Sequence, residues 1–230
     1  ADGKHSPLRD KIGIDTVSWD YGQSAIVCNI SHSEDHRGLA LEHFLPAGPF
    51  ASLPMYGGKH SSLVWTERTK TAPLFLAMDE TECLEEIRKR LGNHLGDITL
   101  ASKRMCYPLS LVHAKTYTAN RFALIGDAAH AIHPIAGQGF NLGIRDIHIL
   151  ADMLVTAKRL GLTPGTTDVL SRYETARKWD NTLMIAATDT LNRLFSNHSF
   201  PLRVARDLGL AAVERLPVVK RFFMRHAMGV

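Results

Sequence analysis

The chain has 230 residues, 45% of them hydrophobic, so it is long enough to bury a substantial core in one or two domains and is not a disordered segment. Its formal net charge is +4, but 27 Lys and Arg residues are scattered among 23 Asp and Glu residues, which argues against a nucleic-acid-binding surface. The 3 cysteines fit neither a zinc pattern nor a disulfide framework, and no apolar run approaches the roughly 20 residues that cross a bilayer.

The first predicted element is a short helix that follows an Asp-Gly turn. Ser6 is a typical N-cap, Pro7 suits the first helical position and Gly13 is a typical stop. The sequence therefore predicts a helix between Ser6 and Gly13.

Strand patterns fill residues 24–65. Apolar and β-branched residues alternate or cluster in four segments, and Gly57 and Gly58 supply a tight connection. We predict a run of antiparallel strands, followed by one amphipathic helix that Asp79 and Glu82 open at capping-box spacing.

An acidic residue follows the next strand pattern. A strand-like segment over residues 105–114 leads to the short apolar segment 122–125, which predicts a buried strand. Asp127 would then lie at the carboxyl end of a strand, where open α/β sheets bind their ligands. Its carboxylate either accepts hydrogen bonds from a sugar hydroxyl or merely caps the turn.

Glycines precede the following helix, which is predicted to begin near Phe140 and to end near Gly161. Gly137 and Gly139 allow close approach of the backbone, and the helix start presents unpaired N–H groups to an anionic or electron-rich ligand. A glycine turn required by geometry alone is the alternative. With Gly143 the spacing is one residue off the dinucleotide fingerprint, so we do not predict a pyrophosphate loop.

Two histidines, His130 and His133, lie in the same segment. Pro134 interrupts any helix through them, and no Cys or acid pair stands at ligand spacing. We therefore predict no metal site.

Residues 126–146, GDAAHAIHPIAGQGFNLGIRD, resemble the second flavin-binding motif of the FAD-dependent aromatic hydroxylases, which have the para-hydroxybenzoate hydroxylase fold. Residues 1–9, ADGKHSPLR, resemble the other marker of that family. Within the family, the segments GPFASLPM, SSLVWTE, YETARKWDN and LPVVKRFFMRHAMG are similar to the hydroxylases of ubiquinone biosynthesis.

The resemblance implies a partial flavin monooxygenase fold of the α+β or α/β class. Residues 1–14 would carry the Asp-Gly motif of the FAD domain and residues 15–107 a substrate domain with an antiparallel sheet. Residues 108–161 would form the second half of the FAD-binding domain, and residues 162–230 the C-terminal helices. The sheet would form the wall of a substrate pocket, where the side chains of Phe50, Met55 and Trp65 either line the pocket or belong to the ordinary core.

The resemblance also implies a set of cofactor-binding residues. The Asp at the position of Asp127 contacts the ribityl or ribose part of FAD, and the loop from Pro134 to Gly139 lies along the isoalloxazine ring. The Asp-Gly segment is implicated in FAD and NAD(P)H handling, with Arg9 either a phosphate partner or an exposed residue of a short helix. The expected cofactor-binding residues are Asp2, Arg9, Gly126, Asp127, Pro134, Gly137, Gln138, Gly139 and Asn141.

The implied activity is a monooxygenase reaction in which NAD(P)H reduces FAD and oxygen supplies a hydroxyl group for the ring of a prenylated phenol. No side chain is identified as a catalytic acid or base. One alternative is an FAD monooxygenase of a soluble aromatic acid, and another is a non-catalytic binding or assembly subunit. The resemblance also implies other ubiquinone-biosynthesis proteins as partners.

Members of the family begin with a strand, a G-x-G-x-x-G turn and a helix that bind the ADP part of FAD, and this sequence contains none of these. We expect that the polypeptide by itself is a fragment that binds FAD weakly or not at all and is inactive.

The C-terminal part is predicted to be helical, with one long helix from Asp168 to about Phe195. Residues 217–230 combine apolar and basic side chains, so they either lie on an anionic membrane surface or dock on the protein itself. With the cysteine pattern, which favours a reducing compartment, this predicts a cytoplasmic protein that is soluble or peripheral on the inner membrane.

Overall fold

The structure, a computed structural model, describes residues 1–196 and Arg221. Among these residues it divides into two compact units. Residues 1–19 and 110–193 belong to the first unit, and residues 20–109 and 194–196 to the second.

The elements follow one another along the chain as short helices and strands until two long helices close the described part. The helices are α1 (Pro7–Ile12), α2 (Ala72–Ala77), α3 (Glu80–Leu91), α4 (Gln138–Arg159) and α5 (Thr167–Phe195). The strands are β1 (Thr16–His32), β2 (Leu41–Leu45), β3 (Gly48–Pro54), β4 (His60–Arg68), β5 (Ile98–Leu100), β6 (Met105–Ala114), β7 (Thr118–Ala119), β8 (Phe122–Ala123) and β9 (His130–Ala131).

The second unit is an antiparallel sheet with helices packed on it, which confirms the predicted antiparallel strands. Strand β3 pairs with β2 and with β4, and β1 pairs with β4 and with β5, always antiparallel. Strand β1 begins at Thr16, eight residues before the predicted start at residue 24.

The core of the second unit lies between this sheet and α3. Phe50 and Trp65 are 1% and 2% exposed and pack there with Cys83, Ile87 and Leu91, whereas Met55 is 40% exposed. Of the two alternatives for these side chains, the ordinary core therefore holds for Phe50 and Trp65.

The predicted helix caps are confirmed. The Ser6 hydroxyl accepts a hydrogen bond from the Arg9 N–H at 3.0 Å, and Gly13 ends α1 in the left-handed conformation. Asp79 and Glu82 form both hydrogen bonds of the capping box at the start of α3.

The first unit contains α1, α4, most of α5 and short strands. Its core packs Tyr117, Leu124 and Tyr173 with smaller side chains between the helices. In the described residues, no helix combines the length and the apolarity that a bilayer crossing requires.

The predicted buried strand over residues 122–125 is wrong in its extent, because only Phe122 and Ala123 form a strand, paired with β7. The next residue, Leu124, is 1% exposed, but its backbone N–H and carbonyl form hydrogen bonds that do not belong to a β-sheet. Its N–H donates to the Tyr117 carbonyl at 2.7 Å, and its carbonyl accepts from the Tyr173 hydroxyl at 2.8 Å.

Residues 217–230 lie outside the described residues except for Arg221, so the predicted membrane-surface or docking segment is not described by the structure.

Candidate functional site

A cleft of about 310 Å³ opens in the first unit, between the start of the chain, the turn that contains Asp127 and one face of α4. Three of the predicted cofactor-binding residues line it, namely Gly126, Asp127 and Gly139. The other lining residues are Ala1, Gly3, Ile125, Phe140, Gly143, Ile144 and Ile147.

Glycines leave part of the cleft wall without side chains. At Gly3 and Gly139 an added Cβ would meet nothing within 4 Å, so backbone faces open space at both positions. A Cβ on Gly143 would lie 3.5 Å from the Gly126 Cα, which shows how closely α4 approaches the turn. Gly126 has φ +59°, a conformation that L side chains rarely adopt.

Two polar features face this region. Asp127 lies in a 3₁₀ turn over Gly126–Ala128 and its side chain is exposed. Helix α4 has 22 residues, and its N-cap, Gly137, has φ +62° and provides no side-chain hydrogen bond to the first turn. The helix start therefore carries N–H groups and a partial positive charge that no capping side chain neutralises.

The remaining wall is apolar and exposed. Phe140, Ile144 and Ile147 follow one another at helical spacing on α4, with 78%, 47% and 49% of their surfaces exposed. A flat apolar molecule with polar groups at one edge would find complementary surfaces in this cleft.

A buried carboxylate lies behind the cleft wall. Asp146 on α4 is fully buried, and its Oδ2 accepts from the Gly126 N–H at 2.8 Å and pairs with His130 Nε2 at 2.6 Å. Its Oδ1 accepts from Arg177 Nε at 2.7 Å and from Asn181 Nδ2 at 3.4 Å.

The charge of Asp146 is favoured by these donors. Burial acts to raise the pKa of this carboxyl, but the hydrogen bonds from His130, Arg177 and the Gly126 N–H outweigh burial and lower the pKa below its ordinary value.

Sequence reasoning did not identify the Asp146 network, although signals for it were present. Asp146 is the last residue of the glycine motif, and Arg177 and Asn181 lie four residues apart in YETARKWDN, a spacing that places both on one face of α5.

Arg9 does not face solvent, as a residue that binds a phosphate group at the surface would. It is 5% exposed, and its guanidinium donates to the carbonyls of Ala128 and Lys4, each at 3.0 Å. Asp2 is exposed, and hydrogen bonds with the Ser6 side chain and the Leu8 N–H help to lower the pKa of its carboxyl. Both residues support the segment that carries Gly3, and neither lines the cleft.

The other predicted residues lie near the start of α4 but do not line the cleft. Pro134 precedes a 3₁₀ turn over Ile135–Gly137, and the Gln138 side chain is buried. The amide of Asn141 donates to Gln138 Oε1 at 3.4 Å.

Both histidines of the motif are fully buried, His130 in the pair with Asp146. Within residues 1–196, no group of three His, Cys, Asp or Glu side chains could hold a metal ion.

Similar proteins support the family resemblance that the glycine motif indicates. The chain is 52% identical over 229 residues to the ubiquinone hydroxylase UbiL of Rhodospirillum rubrum, covering 100% of this chain and 53% of that protein. It is 38% identical to the 3-demethoxyubiquinol 3-hydroxylase of Escherichia coli, covering 100% of this chain and 58% of that protein. The chain therefore spans about half the length of the curated relatives it matches.

Solved structures share the fold. A p-nitrophenol 4-monooxygenase from Pseudomonas putida superposes with a TM-score of 0.76 over 99% of this chain and 58% of that chain, at 19% identity. PqsL from Pseudomonas aeruginosa gives a TM-score of 0.70 over 86% of this chain and 55% of that chain, at 26% identity. These likenesses confirm the predicted partial flavin monooxygenase fold.

The family model described as FAD binding domain matches residues 1–186, a range that contains the whole cleft, the Asp-Gly segment and the glycine motif. Together with the relatives, this match shows that the chain belongs to the FAD binding domain family.

Proposed function

We propose that this chain is part of a flavin-dependent monooxygenase that hydroxylates the aromatic ring of a prenylated phenol in ubiquinone biosynthesis. The names of its relatives in Rhodospirillum rubrum and Escherichia coli support this substrate class. Because the chain spans only 53% and 58% of those two relatives, the activity is proposed for the protein that contains it.

The observation that carries the proposal is that Asp127 and Gly139 line one cleft. FAD combines a hydroxylated sugar stem with a flat tricyclic head, and the two residues offer one partner for each part. The Asp127 carboxylate is exposed and accepts hydrogen bonds from hydroxyl groups, while the bare backbone at Gly139 allows a flat ring to approach.

The polar and apolar groups that line the cleft fit FAD. We propose that Gly126 and Asp127 hold the ribityl or ribose part, and that Gly139 and the start of α4 lie against the ring system. When bound, FAD supplies electron transfer from a reductant and activation of oxygen.

The residues of this chain would assist that chemistry in three ways. The Asp127 carboxylate fixes the sugar stem, and the N-terminus of α4 favours negative charge on a nearby group through fixed dipoles. The exposed side chains of Phe140 and Ile144 would pack against the bound ring and keep water away from it.

We propose that four further residues shape the start of α4, namely Pro134, Gly137, Gln138 and Asn141. Gly137 provides the left-handed turn before the helix, and Asn141 holds the Gln138 amide. Arg9 and Asp2 are proposed to order the first nine residues at the cleft edge.

The reductant, the partners and the location also belong to the proposal. NAD(P)H would supply the electrons, other ubiquinone-biosynthesis proteins would be partners, and the protein would work in the cytoplasm, peripheral to the inner membrane. The basic and apolar pattern of residues 217–230 supports membrane contact.

The test is oxygen incorporation by the protein purified from its complete reading frame. With FAD, NADPH and ¹⁸O₂, we expect a prenylated phenol to gain one labelled hydroxyl, while the second oxygen atom leaves as water and NADPH is oxidised once per turnover. A D127A variant should lose at least about 90% of this rate at limiting FAD because the sugar stem loses an acceptor.

Two outcomes would contradict the proposal. Labelling of a soluble aromatic acid in place of the prenylated phenol would establish the other monooxygenase class. Absence of labelled product from either substrate would favour a non-catalytic subunit.

A further inference from the structure

We propose that Asp146 is a positioning residue for the cleft, because it holds the Gly126 backbone in the conformation that directs the Asp127 carboxylate into the cleft. The proposed positioning of the Gly126 backbone is argued only from hydrogen bonds and burial in this structure. Its consequence for FAD rests on the function proposed above.

The aim of the Asp127 side chain depends on its backbone. In the described part of the chain, the Asp127 carboxylate has no hydrogen bond or ion pair, so no neighbouring side chain fixes its direction. The turn over Gly126–Ala128 therefore sets where the Asp127 Cα–Cβ bond points, and that turn is held at two points. Asp146 accepts from the Gly126 N–H at 2.8 Å, and Arg9 donates to the Ala128 carbonyl at 3.0 Å.

The Asp146 contact is a charged one in a fully buried place. Donors approach the carboxylate from the turn, from strand β9 and from α5, and the side chain is 0% exposed. Hydrogen bonds to a charged group are worth more than neutral ones, and they hold best where water cannot compete. The Gly126 N–H is thus tied to α4 more firmly than a surface turn would be.

Arg177 makes the buried charge tolerable. Its side chain is 3% exposed, its Nε donates to Asp146 Oδ1 at 2.7 Å, and its Nη2 donates to Asn181 Oδ1 at 2.8 Å. Removing either charge alone would break this buried pair and leave the remaining charge with fewer partners than it has now, which is destabilising. Positioning must therefore be tested with a variant that removes both charges.

The proposed variant is D146N/R177Q. It leaves no unpaired buried charge, but one amide oxygen cannot serve all the donors that now reach the carboxylate, and the amide NH₂ group faces donors instead of acceptors. The matched control is D180N, which changes a carboxylate that also contacts Arg177, at 2.5 Å, but does not touch the turn. Asp180 is partly exposed, so its loss leaves no orphaned buried charge.

The first measurement is amide hydrogen exchange at Gly126, followed by NMR. In the wild-type chain and in D180N we expect strong protection at Gly126, although the next residue is exposed. In D146N/R177Q we expect protection at Gly126 to fall at least about tenfold while core amides such as that of Leu111 keep theirs. Equal protection at Gly126 in all three proteins would overturn the proposal.

The second measurement is the dissociation constant for FAD, from amide shift changes in the same three proteins. We expect binding at least about tenfold weaker in D146N/R177Q than in the wild-type chain and in D180N. Equal affinity in all three would overturn the role of Asp146 toward FAD. Absence of FAD binding in the wild-type chain would instead count against the proposed function, and hydrogen exchange at Gly126 would then decide the positioning role by itself.

Discussion

Arg9 carries a full positive charge yet is only 5% exposed. Its two carbonyl partners, Lys4 and Ala128, lie on different segments, so the guanidinium joins the first residues of the chain to the Asp127 turn. Phosphate contact by Arg9 stays a prediction from the family resemblance, and the geometry favours a role in order and stability.

We predict that R9Q lowers the free energy of unfolding by about 2 to 3 kcal/mol, because two charge-assisted hydrogen bonds are lost and their carbonyls are left without a donor. K11Q, on the exposed side of the same helix, is the control and should change it by less than about 0.5 kcal/mol. Urea unfolding followed by circular dichroism measures both. If R9Q left stability unchanged but weakened FAD binding, the phosphate contact would be favoured instead.

Two histidines, the fully buried His133 and the partly buried His113, make the stability of the chain depend on pH. Burial lowers the pKa of His113 to about 4, and burial likewise lowers the pKa of His133 to about 4. The unfolded chain binds a proton on each histidine below an ordinary pKa of 6.5, whereas the folded chain does not until about 4. Stability is therefore highest above pH 6.5 and falls as the pH drops from 6.5 toward 4.

We predict that H113Q removes about half of this pH dependence, since His133 continues to contribute. Glutamine retains an acceptor for the Tyr117 hydroxyl, which now lies 3.0 Å from His113 Nε2. Urea midpoints for both proteins at about pH 7 and about pH 5 provide the comparison. An equal loss of stability on acidification in both proteins would show that His113 does not titrate in this way.

Some residues of the cleft and its support could be predicted from the sequence, and others could not. Asp127 and Gly139 could be found because a strand-like segment and a glycine turn are local patterns. Asp146 and Arg177 could not be paired in advance, because they are 31 positions apart on two helices and the distance between them depends on how those helices pack.

At the scale of elements, the helix caps and the antiparallel strands of residues 24–65 formed as predicted, whereas the strand over residues 122–125 is shorter than predicted. The caps at Ser6 and Asp79 need only residues within one turn of helix, and both formed as predicted. The strand over residues 122–125 needs neighbouring strands to complete it, and in the described residues only the short strand β7 pairs with it. Composition alone cannot supply such a neighbour.

The hairpin between β2 and β3 offers a test of how tightly the second unit is packed. A Cβ on Gly48 would lie 2.4 Å from Thr66 Cγ2 and 2.9 Å from Gln23 Nε2, and Gly48 has φ +142°. Gly57, in the next connection, has φ +96° and nothing within 4 Å of its Cβ position. The two glycines therefore share a strained conformation and differ in the space around them.

We predict that G48A destabilises the chain by roughly 3 kcal/mol or more and G57A by about 1 kcal/mol, because only the first adds a clash to the backbone strain. Thermal or urea unfolding of the two variants measures the difference. Equal losses would mean that strain alone decides the cost and that the space around Gly48 is larger than it is in this structure.

At the scale of the whole molecule, each compact unit has its own core, and the first is assembled from both ends of the described chain. Residues 1–19 join residues 110–193 across an insertion that forms most of the second unit. The predicted four-part division at residues 14, 107 and 161 stays a prediction, although the change from one unit to the other after residues 19 and 109 lies close to two of its boundaries.

The discontinuity explains why the sequence predicted the class of fold better than the detailed site. The family motif is one continuous segment, residues 126–146, so the class of fold and the class of cofactor could be predicted from it. The cleft also requires Ala1 and Gly3, which are more than 120 residues away from Gly126, and that contact follows only from the folded arrangement of the first unit.

We propose that the cleft lined by Gly126, Asp127 and Gly139 holds the flavin. The most direct measurement is a titration of the isotopically labelled 230-residue chain with FAD, followed by two-dimensional NMR, which detects weak binding. We predict weak, saturable binding whose largest amide shift changes fall on Gly126, Asp127, Gly139 and Phe140, and which D127A weakens. Shift changes centred on the second unit, or none at saturating FAD, would contradict the claim.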